Sequence, residues 1–159
     1  MFGAVIRGTI AGTVGTWVMD AVTTVLFDAQ APDVKRAEVA AQPNRKSSVA
    51  NLVDRIERST GVVVAEDNRP QVEQATHYSL GIGPAVAYAE ARKVLPLRGP
   101  LAGILFGLLV FGLNDEYANS ALGLSGPPGA YPLQSHLRGL AGHLAYGVTV
   151  QSTLELLGG

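Results

Sequence analysis

The sequence predicts an all-α integral membrane protein, a single domain over residues 1–159 in which four transmembrane helices form an up-down bundle. Only 16% of the 159 residues are charged, against about 25% in soluble domains. Fourteen of these charges lie between residues 28 and 72, which predicts a helical polar loop between the first and second helices. The remaining chain is poor in charge, and a surface that faces water carries charge throughout.

Four apolar stretches approach the roughly 20 residues that a membrane-spanning helix needs. They are residues 2–27, 73–95, 100–117 and 134–157. In a soluble four-helix bundle each helix would show a charged face, whereas these stretches carry Gly, Ala, Thr and Ser instead. The first stretch is not expected to be a cleaved signal peptide, because it is too long and contains Arg7.

Pairs of glycines recur inside the apolar stretches at a spacing that lets helices approach closely in lipid. One such pair is a weak signal in a chain with 19 glycines, but recurrence within the apolar stretches favours helix–helix contact. The pairs are Gly8 with Gly12, Gly103 with Gly107 and, more loosely spaced, Gly139 with Gly142.

The three connections between the stretches differ in character. Residues 28–72 are polar and partly helical, because apolar residues between 49 and 56 recur at helical spacing after two serines. Short helices of this kind either lie on the bilayer surface or cap the bundle, and capping is the expected role. The connection 96–99 is tight, and the connection 118–133 is too rich in Gly and Pro to form a regular helix.

An up-down arrangement places both long connections at one end of the bundle, here called the Y end. The termini and the connection 96–99 then lie at the other end, the X end. Each stretch carries ionisable residues near the Y end: Asp20, His77, Asp115, Glu116, His136, Arg138 and His143. A charged group in the hydrocarbon region normally faces the bundle interior and finds a partner. The sequence therefore predicts a polar pocket that opens at the Y end.

Structural explanations exist for the same residues. Asp20 and Arg138 can form an ion pair that only holds two helices together. Asp115 and Glu116 can mark the place where the third helix leaves the bilayer. His143 is the deepest of the histidines and is the hardest to explain in this way.

Several segments of the chain match a known family pattern. They are TWVMDAVTT (16–24), HYSLGIGPAVAYA (77–89), NDE (114–116) and LGLSGPPGAYPLQSHLRGLAGHLAYG (122–147). These segments resemble the YagU-like family of bacterial inner-membrane proteins, whose function is unknown, and HxRGLxGHxxYG is the most specific part. The resemblance implies a small multi-pass protein of the bacterial inner (plasma) membrane without an established activity. It also places Trp17 on a motif position together with the seven ionisable residues.

The orientation in the membrane stays open. The long connection carries seven Lys and Arg residues, which by the positive-inside rule puts the Y end in the cytoplasm. The YagU-like resemblance implies the reverse, with both termini cytoplasmic and Arg92, Lys93 and Arg98 as the anchor.

Three functions are compatible with the predicted pocket. The first is transport of ions, protons or small solutes by a homo-oligomer in the lipid bilayer, since Asp, Glu and His within membranes often mark proton relays. The second is binding of a divalent metal or haem by His77 and His143 with carboxylates. The third is a structural, assembly or lipid-binding subunit in which the polar cluster fixes helix register.

Other classes are disfavoured. The net charge of −1 does not provide the basic surface of a nucleic-acid-binding protein. The absence of Cys excludes thiolate metal sites and cysteine nucleophiles. No phosphate loop, dinucleotide fingerprint or Ser-His-Asp pattern is present in the sequence. Whether the protein is an enzyme stays open. The sequence contains no recognisable nucleophile that would favour an enzyme.

Overall fold

The computed structural model describes residues 2–96 and 98–158, with Phe2 through its backbone alone. This part of the chain contains six helices and no strand, so the prediction of an all-α fold is confirmed. Short 3-10 turns occur in the connections. The helices are α1 (Phe2–Asp28), α2 (Pro32–Ala41), α3 (Ser48–Thr60), α4 (Arg69–Ala91), α5 (Gly99–Ala121) and α6 (Leu133–Leu156).

The second long helix begins one turn earlier than the sequence predicts, at Arg69 in place of residue 73. Arg69 forms ion pairs with Asp54, Glu57 and Glu73, which stabilise a first turn inside the polar connection. Pro70 occupies that first turn, where proline is favoured because its missing N–H would have no helical partner. The helix ends at Ala91, short of the predicted residue 95.

The four long helices run antiparallel to their neighbours. α1 packs between α4 and α6, and α5 packs against the other side of α6. At the X end Arg7 donates a hydrogen bond to the carbonyl of Gly158 at 3.0 Å. At the Y end Gln30 donates one to the carbonyl of Gln134 at 3.1 Å. These contacts fix an up-down order for the long helices.

Glycines make the closest helix contacts, as the sequence predicts. A methyl group added at Gly8 would lie 2.6 Å from the Cα of Val86 in α4. One added at Gly107 would overlap the carbonyl of His143 in α6. The other predicted positions, Gly12, Gly103, Gly139 and Gly142, also lie against a neighbouring helix. The glycine pairs therefore allow the main chains of adjacent helices to approach each other.

Two of the described helices are long and apolar enough to cross a membrane, by length and composition: Gly3–Asp28 in α1 and Gly99–Ala121, which is α5. Only 22% of the apolar window in each is buried inside the fold. Large apolar side chains on both helices face outward, for example Val25, which is 69% exposed, and Leu101, which is 65% exposed. The four apolar spans of the sequence analysis thus reduce to two by this measure. α4 and α6 carry polar side chains along much of their length.

Candidate functional site

Two adjoining cavities open at the Y end, among the long helices and beneath the connection that contains α2 and α3. The inner cavity, of about 420 Å³, is lined by His77, His143 and Tyr146 among others. The outer cavity, of about 270 Å³, is lined by Glu38, Glu116 and His136 among others. The two cavities share the residues Ser47, Ser48, Asp115, Asn119, Arg138 and Gly139. They therefore form one polar vestibule with a common wall.

Each histidine of the chain is paired with a carboxylate from a different helix. His77 Nε2 lies 2.7 Å from Asp20 Oδ1, and His136 Nδ1 lies 2.7 Å from Glu116 Oε1. His143 Nδ1 lies 3.6 Å from Asp115 Oδ2, close enough for an ion pair. The structure thus brings six of the predicted residues together as three pairs. Asp20 lies behind His77, which is the member of that pair that lines the inner cavity.

The His136 pair must hold a proton between its two partners. His136 Nδ1 faces Glu116 Oε1, and its Nε2 lies 3.0 Å from the carbonyl oxygen of Pro128. A carbonyl can only accept, so Nε2 carries a hydrogen and donates it. The contact between Nδ1 and Glu116 then requires either an imidazolium with a carboxylate or a neutral imidazole with a carboxylic acid. Both forms contain one transferable proton.

His143 is the most enclosed of the three histidines. Its side chain is only 8% exposed, and its Nδ1 lies 2.9 Å from the carbonyl oxygen of Gly139, one turn earlier. That carbonyl accepts the Nδ1 hydrogen, which leaves Nε2 as the ring nitrogen that can take up a further proton. The rings of Phe111 and Tyr146 lie 5.6 Å and 6.5 Å from it, centroid to centroid. His143 therefore stands at the boundary between the vestibule and the apolar core.

A π-helical segment of α5, Phe111–Ala118, presents both acidic residues of the motif to α6. In an α-helix consecutive side chains point about 100° apart, which follows from 3.6 residues per turn. The wider π-helix, with hydrogen bonds to the fifth residue, reduces that angle. Asp115 and Glu116 consequently reach His143 and His136 on one neighbouring helix. Such segments are frequent at functional sites.

Arg138 joins the vestibule to the long connection. Its Nη1 and Nη2 donate to Glu38 Oε2 and Oε1 at 2.9 Å and 2.6 Å, and Nη1 also donates to Gln30 at 2.6 Å. The ion pair of Arg138 with Asp20 considered from the sequence is therefore not formed. Asp20 faces α4, where it meets His77, whereas Arg138 points toward α2.

The electrostatics of Glu38 reflect this contact. Burial by itself raises the pKa of Glu38, but hydrogen bonds from Arg138 and Ser135 outweigh it, so the pKa is lowered from its ordinary value of 4.5. The Ser135 hydroxyl donates to Glu38 Oε2 at 2.7 Å. Glu38 is not among the site residues predicted from the sequence. Its one available signal is its position four residues after Val34 and three before Ala41, on the weakly apolar face of α2.

Hydrogen bonds hold the rest of the connection over the vestibule. Ser47 caps α3 by accepting a hydrogen bond from the amide of Ala50 at 3.2 Å, and its neighbour Ser48 lines both cavities. Asn51 is only 5% exposed and donates to the carbonyl of Leu124 at 3.0 Å. The two long connections are thus tied to each other above the pocket.

Trp17 does not join the other predicted site residues. Its side chain is 64% exposed and projects from the middle of α1, and it is not a lining residue of either cavity. Within the described residues no three His, Asp or Glu side chains converge as a metal site. The hypothesis of a metal or haem at His77 and His143 stays a prediction without an assembled ligand set.

The fold and the site together define a helical bundle with a polar vestibule at one end. Comparison of the chain with family models, with curated proteins and with solved structures finds no match.

Proposed function

We propose that the protein is a multi-pass protein of the bacterial inner membrane whose four long helices cross the bilayer. Two observations support this proposal. The two most apolar helices keep most of their surface outside the fold, unlike the buried core helix of a soluble protein. The helix contacts are made by small residues, which is typical of packing in lipid. The YagU-like sequence resemblance implies the same location.

The single tryptophan of the chain provides a direct test of membrane insertion. Trp17 lies midway along α1 and is 64% exposed, so in a bilayer it faces the acyl chains. We expect its fluorescence to be quenched by lipids brominated in mid-chain and to resist quenching by aqueous iodide. Strong quenching by iodide together with none by brominated lipid would contradict the proposal. A Trp17→Phe variant supplies the background signal.

We further propose that the vestibule takes up protons or small cations and passes them across the membrane. The observation that carries this proposal is the convergence of three histidine–carboxylate pairs on the adjoining cavities. Imidazole can accept a proton at one ring nitrogen and donate one from the other, so a histidine beside a carboxylate is suited to proton transfer. Carboxylates and histidines at membrane depth are typical of proton relays.

Proton flux into proteoliposomes tests this function. Vesicles that contain a pH-sensitive dye are given a potassium diffusion potential, and the initial rate of internal pH change is measured. Asp115→Asn and His143→Ala are expected to lower that rate at least tenfold, because each removes one member of the deepest pair. Glu66→Gln, an exposed carboxylate in the long connection, is the charge-matched control. Rates for the two vestibule variants equal to the control rate would refute the proposal.

A homo-oligomer is proposed as the functional assembly. The outward apolar faces of α1 and α5 allow contact either with lipid or with a second copy. The mass of the protein in a defined detergent, measured by light scattering with the detergent contribution subtracted, distinguishes one chain from several. A single-chain mass at all concentrations would refute the oligomer.

A structural subunit is the second candidate function. Six of the vestibule residues have a partner within the chain, and Arg138 is held by Glu38, which favours a role in fixing helix register. On this explanation Asp20→Asn and His143→Ala lower the thermal stability in detergent and leave the liposome proton flux equal to that of protein-free vesicles.

A further inference from the structure

A line of buried polar side chains runs through the X half of the bundle, away from the vestibule. Gln151 of α6 is only 1% exposed. Its Oε1 accepts a hydrogen bond from the Tyr88 hydroxyl of α4 at 2.7 Å, and its Nε2 donates to Glu155 Oε1 at 2.6 Å. The Glu155 side chain is 41% exposed. The line therefore runs from the bundle interior to the surface at the X end.

This line lies where the bundle is otherwise apolar. Its neighbours Ala85, Val150 and Leu154 are almost completely buried. A buried amide is costly in such surroundings unless its hydrogen-bonding atoms are satisfied. Glu155 is itself fixed by the amide of Gly99, which donates to Oε1 at 2.7 Å, and Arg92 Nη2 lies 4.0 Å from the same oxygen. Well-packed apolar side chains would be sufficient to join α4 and α6, so helix packing alone does not require these hydrogen bonds.

One aromatic ring separates the polar line from the vestibule. The rings of Tyr88 and Phe106 stack with centroids 4.1 Å apart. On its other side Phe106 lies 5.6 Å from the ring of Tyr146, which lines the inner cavity. His143 and Gln151 are eight residues apart on α6, a rise of about 12 Å. Phe106 occupies the apolar gap between these two polar regions.

We propose that Tyr88, Gln151 and Glu155 form the exit half of a proton path that lies within a single bundle, and that Phe106 closes this path in the present conformation. This inference rests on the proposed transport function and places the path inside one subunit. A proton held by the Asp115–His143 pair passes through water admitted by movement of Phe106. The Glu155 carboxylate accepts it and releases it to solution at the X end.

The proposed transfer balances without any other reactant. The Asp115–His143 pair loses one proton to the path and regains one from the vestibule, and Glu155 returns to its carboxylate form. Tyr88 and Gln151 are positioning residues that neither gain nor lose a proton. They hold the Glu155 carboxylate in place by the hydrogen bonds described above.

Conservative variants test the path in the proteoliposome assay. Tyr88→Phe removes the hydroxyl but keeps the ring that stacks on Phe106, and Gln151→Leu removes the amide at similar volume. Both are expected to lower the proton flux at least tenfold. Phe106→Leu is expected to raise it severalfold, because a smaller side chain admits water. Tyr117→Phe, which removes a hydroxyl from a residue that is 69% exposed, is the control for loss of a tyrosine hydroxyl.

The outcomes separate this inference from the proposed function. If Asp115→Asn abolishes the flux while Tyr88→Phe and Gln151→Leu conduct normally, transport stands and a path through this line is refuted. If neither the wild type nor Phe106→Leu conducts, both proposals are refuted. A silent wild type with a conducting Phe106→Leu variant supports closure by Phe106. Melting temperatures in detergent show which variants retain the fold, and only those enter the comparison.

Discussion

Replacement of Glu38 by glutamine tests whether the long connection is held over the vestibule by Arg138. Glu38→Gln keeps the size of the side chain but turns one of the two acceptors of the Arg138 guanidinium into a donor. The ion pair is largely buried, with 11% of the Glu38 and 16% of the Arg138 side chain exposed. Breaking a fully buried pair costs about 3–5 kcal/mol. Allowing for this residual exposure and for the hydrogen bond that glutamine keeps, we expect about 2–3 kcal/mol.

Hydrogen exchange is the appropriate measurement, because the lost contact is local. A change of about 2–3 kcal/mol lowers the protection of amides in residues 32–60 by about 30- to 150-fold. Amides in the core of α6 are expected to keep their protection. Glu66→Gln, which removes an exposed carboxylate from the same connection, serves as the control. If residues 32–60 of Glu38→Gln keep their protection within twofold of the wild type, the contact with Arg138 does not hold the connection over the vestibule.

The pH dependence of the same contact has a definite sign. The pKa of Glu38 is lowered in the folded protein from its ordinary value of 4.5, so the folded state holds the proton less tightly than the unfolded chain does. The contribution of this group is complete above pH 4.5 and is lost as the pH falls through the lowered value. The difference between the wild type and Glu38→Gln should therefore narrow in acid.

Two further substitutions are expected to report on packing and on the connections. Gly107→Ala forces a methyl group against the main chain of His143. Because overpacking costs about 1–3 kcal/mol or more, the melting temperature in detergent should fall. The control is Gly112→Ala, which has open space for the methyl group and should not lower the melting temperature. Asn51→Ala removes the hydrogen bond to Leu124 and should increase hydrogen exchange in both long connections at once; faster exchange in only one of them would contradict the proposed tie.

The sequence predicts those parts of the fold that depend on local spacing. Pairs such as Gly8 with Gly12 identify helix contacts, because close approach needs small side chains at a helical period. The up-down order of four helices is also sufficient to predict that the ionisable residues lie at one end, even where their contacts are unknown. For that reason Asp20 and His143 could be assigned to the same end from their chain positions.

The pairing of these residues could not be predicted from spacing. Which carboxylate meets which histidine depends on the rotation of each helix about its axis, and a change of one residue turns a side chain by about 100°. The π-helical segment alters that rotation at Asp115, and its residue composition does not reveal it. The contact of Glu38 with Arg138 joins positions 100 residues apart and forms only when α2 docks.

The glycine contacts between α5 and α6 have a consequence for how the vestibule tolerates mutation. Gly107 meets the main chain of His143, and Gly103 meets that of Gly147. A contact between main chains has no rotamers, so it fixes the height of His143 relative to Asp115 without loss of side-chain entropy. It also leaves no flexible group to absorb a substitution. Substitutions at these glycines should therefore impair the vestibule, although neither glycine contacts a molecule that enters it.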